Sequence, residues 1–495
     1  MFRFRLVFIC CLLNLFAFGQ GVNTTWMLGY RSGFGPPMGG INFEFNTGGL
    51  SVSYQPRPMN IATTTVVMCN DLGSVLFYSN GAYIANALDD TMMNGSGLSP
   101  GHYTDQVGWD GLFIPQASFS VPWPEQPGKY LFFHCTIDDD VNYLYTRRIY
   151  LSTIDMSLDN GLGAVLNKNS ILLADTFIIG RITGVKHANG RDWWLVVHGC
   201  NNDKFYIFKI DPSGISLHAV QSIGQPLISA QGQVCFSPDG SKYALYDRIN
   251  NLNLFDFDRC SGTFSNPIHI TLPGPSGGGG VAFSGNSNVL YVSSNTSIFQ
   301  FDMTATSIVS SQTTVAVYDG YYDPTPAAAT TFFLAQLAPD NKIYISSANG
   351  VLSMHVINYP DSLGLACDVC QHCIPLPAYH IAGVPNHPNY FLGAESGSVC
   401  DSLSTAIPFT GLPTANEYVL FPNPVRDKMY IQSGSRMNVQ DVTLYNTLHQ
   451  PIFVPMNSIN NGEYLELNTS NLTSGIYFVE ITSPQGRTVK RMVKE

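Results

Sequence analysis

Four stretches of the chain carry one pattern of hydrophobic and polar positions. "ITGVKHANGRDWWLVVH", "GQVCFSPDGSKYALYDR", "GVAFSGNSNVLYVSS" and "LAQLAPDNKIYISSANG" each read as an apolar strand, a polar turn and a second apolar strand. The turns Asn189-Gly190, Pro238-Asp239-Gly240, Gly285-Asn286 and Pro339-Asp340-Asn341 recur roughly every fifty residues, a period typical of propeller blades. Their chemistry suits a tight reversal: Pro238 presets φ, Asp239 can bond its own backbone, and Gly240 accepts positive φ. Further strands follow, as in "NLNLFDFDR" with "SNPIHITL" and "KFYIFKIDPSG" with "ISLHAVQSI". A less regular version precedes them in "PGKYLFFHCTIDDDVNYLYTRRIYLSTI" and "TTVVMCNDLGSVLFYSNGAYI". Four short antiparallel strands cannot cover both their faces alone, whereas radially stacked sheets cover one another. Trp193-Trp194 fits such a stack, since adjacent strand residues point one ring to each face.

The pattern predicts an all-β chain with a β-propeller over residues 20–403. Six units lie between about residues 62 and 400 on this repeat period. The strands "INFEFN" and "LSVSYQ" are expected to make a further blade with strands from the C-terminal end of the array, closing the ring. Seven blades result, and six or eight also fit the spacing. The Pro/Thr/Gly-rich "STAIPFTGLPTAN", residues 404–416, is a linker. Beyond it the period stops. Residues 417–495 hold about seven short strands, which suit a small C-terminal β-sandwich.

Composition supports sheets joined by turns. Charged residues are 12%, against roughly 25% in an average soluble domain. Arg3 and Arg5, the apolar run Leu6–Phe18 and the small residues Ala17 and Gly19 predict a signal peptide at residues 1–19, with a mature chain from Gln20. No later stretch is long and apolar enough for a membrane helix. The net charge is −11. Arg3 and Arg5 leave with the leader and residues 417–495 net zero, so the body carries −13. An acidic body without a basic stripe argues against nucleic acid and anionic membrane surfaces as partners.

"VCFSPDGSKYALYD" resembles the WD-like repeats of bacterial periplasmic propellers. "INFEFN", "VLFYSNG", "LNLFDFDRCSG", "LAPDNKIYIS" and "GVPNHPNYFLG" resemble stretches of a large group of uncharacterised secreted propellers of Bacteroidetes type, which implies a fold and a compartment but no activity. In the C-terminal module, "LFPNPVRDKMYI", "VTLYNTLHQPI" and "LTSGIYFVEITSPQGRTVKRMVK" resemble successive motifs of the type A sorting domain of the type IX secretion system. Pro422, Asn423 and Pro424, then Gly475, Ile476 and Tyr477, stand where that family has them. His449-Gln450 departs from it, where a turn Gly is usual. The resemblance implies passage through the periplasm, handling by the type IX machinery, and secretion or display on the outer cell surface.

"CDVCQHC" at residues 367–373 has the look of a metal site. Outside the leader there are nine cysteines, an odd number, in a chain expected to meet oxidising surroundings. Structural zinc favours four ligands in two spaced pairs. Here three thiols are joined only by His372, His380 or His387. Disulfides, partly free thiols and a metal all stay open on the residues, and disulfides without metal are the expectation. The resemblance to the propeller group at Cys367 and at "SVCDSL" implies a Cys367–Cys400 bond. Cys370 and Cys373 are then left to bond to each other.

No catalytic or cofactor-binding motif stands out. Asp138-Asp139-Asp140 reads as an acidic hairpin turn before a calcium site, and "GPSGGGGVAF" as a tight crossing near the propeller axis. Two loops are richer. "GHYTDQVGWDGLF" carries His102, Trp109 and Asp110, and "YDGYYDPTP" carries Asp319, Tyr321, Tyr322 and Asp323. Rings beside carboxylates suit sugar stacking and hydroxyl hydrogen bonds, or else cover core beneath long loops. The expected function is a secreted, non-enzymatic module binding a glycan or protein. The alternative is a polysaccharide hydrolase or lyase using a carboxylate acid/base pair. Paired carboxylates in a pocket would favour the enzyme.

Overall fold

The computed structural model describes residues 21–401 and 418–494, apart from 31–33, 47–48, 139–144, 275–277, 325–326, 434–441, 447–449, 460–463 and 484–485. The predicted leader and linker lie outside the described residues. The chain divides into two compact units, residues 1–403 and 404–495.

Each quoted hairpin forms as its turn chemistry dictates. At Pro238-Asp239-Gly240, Gly240 has φ 75° and its N–H bonds the Ser237 carbonyl at 2.8 Å, while the Asp239 carboxylate accepts the Ser241 N–H at 3.0 Å. The strands Gly232–Phe236 and Lys242–Asp247 then pair in register from Gly232↔Asp247 to Phe236↔Tyr243. Asn251–Asp258 and Thr263–Ile270 complete a four-stranded antiparallel sheet.

Seven sheets of three to five strands are described in the first unit, together with a two-stranded hairpin, Tyr322–Pro324 with Ala327–Ala329. Their first strands are Thr25–Leu28, Val66–Cys69, Ser118–Pro122, Thr183–Lys186, Gly232–Phe236, Gly279–Phe283 and Ala335–Leu337. Strands near the start of a sheet are buried at nearly every position, as in Gly279–Phe283 and Val289–Ser294. A last strand such as Thr263–Ile270 is mostly exposed. Burial on both faces means that each sheet is covered on both sides by its neighbours.

The core clusters trace those neighbours round a closed ring. Met27, Val67 and Tyr78 join the first sheet to the second. Met68, Phe119, Phe133 and Trp193 join the second, third and fourth. Trp194, Phe205, Tyr243 and Phe255 join the fourth to the fifth, and Leu254, Val281 and Phe299 the fifth to the sixth. Tyr291, Ile298 and Ile343 continue to the seventh. Trp26, Phe43 and Phe45 close the ring against Tyr344 and Met354, with Trp26 edge-on to Tyr344 at 5.8 Å. Trp193 and Trp194 serve opposite faces of one strand. This is a β-propeller.

Closure differs from the expectation. Ile41–Asn46 pairs with the N-terminal strand Thr25–Leu28 on one side and with Gly49–Tyr54 on the other, and among the described residues none of the three pairs with a strand from the end of the array. Side-chain packing closes the ring, because "TWML" supplies a third strand and a tryptophan that seats on the last sheet. The segment after the last strand, Val369–His380, does other work. Ala382 N–H bonds Ser347, Asn386 N–H bonds Thr65, and the Asn386 side chain donates to the Ser118 and Ile182 carbonyls at 2.9 and 2.8 Å. Tyr390 then packs on Trp193, and the Gly393 carbonyl accepts from Arg259. Residues 381–400 therefore run through the ring as a strap.

The second unit is a β-sandwich of eight described strands, where the sequence suggests about seven. Tyr418–Phe421, Lys428–Ser433, Tyr464–Asn468 and Met456–Ile459 form one sheet. Pro451–Ile452, Val442–Tyr445, Gly475–Ser483 and Gly486–Lys494 form the other. Met429, Ile431, Leu465, Val479 and Met492 fill the space between. Pro422 and Pro424 shape a turn in which Asn423 accepts the Val493 N–H at 2.8 Å and donates to the Arg491 carbonyl at 2.9 Å. Gly475 opens its strand, Ile476 is exposed, and Tyr477 is buried with its hydroxyl on the Thr473 carbonyl. His449 lies outside the described residues.

Candidate functional site

The first strands of the second to seventh sheets run in one direction and give the ring a start face and an end face, while Thr25–Leu28 runs the other way, with Thr25 on the Gly73 carbonyl and the Gly29 carbonyl on the Ile61 N–H. Residues just before those strands, with the turns joining second strands to third, define the start face. The stretch read as a loop around Trp109 lies there and contains a short helix, His102–Val107. His102 is exposed and within 2.8 Å of the Gln106 side chain. The Trp109 ring is 59% exposed, while its carbonyl accepts from Asn60. Asp110 N–H bonds the Val107 carbonyl and closes the helix.

Tyr321 and Tyr322 are also exposed. Asp323 is buried and accepts the Leu352 N–H at 2.5 Å, so it supports structure and is not a contact offered to a ligand. Asp319 accepts the Tyr321 N–H and lies 2.9 Å from His372 Nε2, and the rings of Tyr321 and His372 stack at 4.1 Å. Burial alone would raise the Asp319 carboxyl. The Tyr321 N–H and His372 outweigh it and hold the group below the usual carboxylate range. No described contact joins this loop to the Trp109 loop.

"CDVCQHC" is the other half of that contact. Met354 pairs with Ile374 and Val356 with Cys370, so Gln371–Cys373 bulge out opposite His355. A Cys370–Cys373 disulfide ties the base of the bulge. Gln371 donates to the Val317 carbonyl and accepts the Asp319 N–H, beside His372 on Asp319. Among the described residues no three His, Cys, Asp or Glu side chains cluster as a metal site. The expected Cys367–Cys400 bond is corrected. Cys400 pairs with Cys260, their Cα atoms 5.5 Å apart, because the strap carries it to the turn before Thr263–Ile270. Cys367 is a free thiol buried beside Tyr291 and Ile357. Asp138 accepts the Arg147 N–H and pairs with Arg148, while Asp139 and Asp140 lie outside the described residues.

The axis holds what the sequence reading missed. Gln116 bonds both the Val234 backbone and Asn386, and Gln233 reaches across to the Ala335 carbonyl and the N–H groups of Val281 and Ala335. Gly280 makes room, since a Cβ there would lie 2.3 Å from Gln233 Oε1. This amide layer plugs the ring. On its end-face side lies a cavity of 390 Å³, lined by Asn23, Gln336, Asn341, Asn386, His387 and Asn389 among others and, among the described residues, by no Asp, Glu, Lys or Arg. Burial holds the His387 imidazole down to about 3, so it is neutral. Among the described residues, buried Asn23 Oδ1 and His387 Nε2 have no hydrogen-bond partner. A buried polar atom left unmet costs about 1–3 kcal/mol, which a ligand hydroxyl or water would recover. The run "NHPN" in the strap was the available signal: polar residues in a segment too constrained by proline for a strand.

No curated protein matches this sequence. Among solved structures, the fold is similar to a functionally unknown protein from Desulfotomaculum acetoxidans at 14% identity, covering 59% of this chain and 81% of that one, with a TM-score of 0.31. It is similar to a gluconolactonase from Xanthomonas campestris at 13% identity, 62% and 86% coverage and a TM-score of 0.32. A third similar structure is the Dos1 propeller, at 11% identity, 62% and 69% coverage and a TM-score of 0.36. Likenesses this distant carry no argument about activity. The C-terminal unit is different: residues 419–495 match the family model described as the secretion system C-terminal sorting domain. The chain therefore carries a type IX sorting domain and is exported to the cell surface or secreted.

Proposed function

We propose that this exported protein is a seven-bladed, non-enzymatic binding propeller whose end-face cavity takes a neutral, hydroxyl-rich ligand, a glycan before any other. One observation carries the reading. Beside apolar walls such as Val234, Phe236, Phe283 and Leu337, the polar side chains of the cavity are mainly amides with one neutral imidazole; among the described residues none that lines it is charged, and two of its buried polar atoms are unmet. A charged ligand would lose its hydration there without compensation. Hydroxyls both donate and accept, and meet Asn23 and His387 alike. Trp109, Tyr321 and Tyr322 are exposed and lie outside this cavity. The resemblance to surface propellers with WD-like repeats, and the predicted leader at residues 1–19, agree with such a role.

The hydrolase alternative needs an acid and a base facing one substrate. Among the described residues no Asp or Glu lines the cavity, and Asp319 and Asp323 are held by His372 and the Leu352 backbone. The test is a titration of the mature chain with neutral oligosaccharides, followed by product analysis. Binding without cleavage, weakened about tenfold or more by His387→Ala, is expected from loss of a buried hydrogen bond. Cleavage products, or full binding by the variant, would overturn the reading.

A further inference from the structure

The start face has its own depression, separated from the end-face cavity by the amide plug. Three cavities of 120, 290 and 320 Å³ adjoin there, and Gln231 lines all three. Arg248 lines the two larger ones, Asn295 one of them, and Phe113, Phe333 and Tyr103 contribute rings. Each position follows from topology. Gln231 precedes Gly232–Phe236, Phe333 precedes Ala335–Leu337, and Arg248 and Asn295 sit in turns between second and third strands of neighbouring sheets.

The chemistry of this mouth is unlike that of the other. Among the described residues, Arg248 is its one charged lining residue. Among the described residues the Arg248 guanidinium has no hydrogen bond or ion pair, and the side-chain amides of Gln231 and Asn295 are equally unengaged. The adjacent carboxylate cannot neutralise it. Asp247 is fully buried, 2.8 Å from Arg181, and also accepts from the Ile249 and Asn250 N–H groups. A free guanidinium thus stands over a concave, ring-lined surface on a body that carries −13.

We propose that the start-face mouth is a second ligand site, and that it recognises a hydroxylated carboxylate of the uronic acid class. The planar guanidinium fork matches a carboxylate in two parallel hydrogen bonds. Gln231 and Asn295 each offer a donor and an acceptor to ring hydroxyls, and Phe113, Phe333 and Tyr103 offer apolar area to the sugar's C–H face. The larger cavities match the lower end of the size range of small-molecule sites, about 300 Å³. The inference is independent of the end-face reading, because the two mouths share no lining residue.

The experiment compares glucuronate, glucose and acetate as probes in titrations of the full chain without its leader. Glucuronate is expected to bind at least about tenfold tighter than glucose, the effect of one charge-assisted hydrogen-bonded contact. Arg248→Gln, at an exposed position, should remove that difference without changing the melting temperature, and Arg248→Lys should restore part of it. His387→Ala should leave glucuronate binding unchanged, which separates this site from the end-face cavity. Equal binding of glucuronate and glucose, or glucuronate binding untouched in Arg248→Gln, overturns the proposal. Acetate competing as well as glucuronate would show a site for bare carboxylate and overturn the sugar assignment.

Discussion

His134 is fully buried in the third sheet, with Nδ1 2.8 Å from Ser99 Oγ and Nε2 2.9 Å from Ser152 Oγ. Burial pushes its imidazole from an ordinary 6.5 down to about 3. The unfolded chain therefore binds a proton below about pH 6.5 that the folded chain refuses until about pH 3, so stability falls with pH across that window. At pH 5 the loss from this residue is about 2 kcal/mol. Urea unfolding at pH 7 and pH 5 checks it: His134→Gln keeps the hydrogen bonds, removes the titration, and should lose about 2 kcal/mol less than the parent. Trp109 is the opposite case. Its ring is 59% exposed, so Trp109→Ala should leave the melting temperature nearly unchanged and weaken binding of any ligand stacked on it. A large thermal shift would mean that the ring is core. Asp319 and Tyr321 could be singled out in the sequence because their own loop sets rings beside carboxylates. Asn23 and His387 were not, because what marks them is a missing partner, and partners are a property of the folded ring.

The strap and the bulge are the elements whose disulfides matter, and they predict different failures. Cys260–Cys400 closes a sequence separation of 140 residues and fixes the end of the strap that carries Asn386 and His387 through the axis. Cys370–Cys373 closes a separation of 3 and only shapes the bulge under Asp319. Constraint of the unfolded chain grows with loop length, so Cys400→Ser should cost about 2–4 kcal/mol and expose strap amides to hydrogen exchange. Cys370→Ser should cost far less and loosen only residues near 317–321 and 371–373. Equal losses in the two variants would contradict this account. The hairpins were readable because turn residues act locally. The Cys260–Cys400 pairing was not, because it depends on where a strap without regular structure crosses the ring.

At the scale of the whole chain, the repeat period announced the ring and the change of pattern after residue 403 announced a second unit. The manner of closure stayed hidden, since one tryptophan on a short N-terminal strand carries it. Export rests on the second unit. Deleting residues 417–495 should leave the propeller in the periplasm, checked by cell fractionation, and normal amounts in the medium or on the surface would contradict that. Binding rests on the first. The most direct test is a crystal structure of the mature chain with the neutral oligosaccharide that binds it best. The account predicts an intact ligand in the end-face cavity, with hydroxyls on Asn23 Oδ1 and His387 Nε2. An empty cavity with the saccharide seated elsewhere, or a cleaved product in place of the ligand, would contradict it.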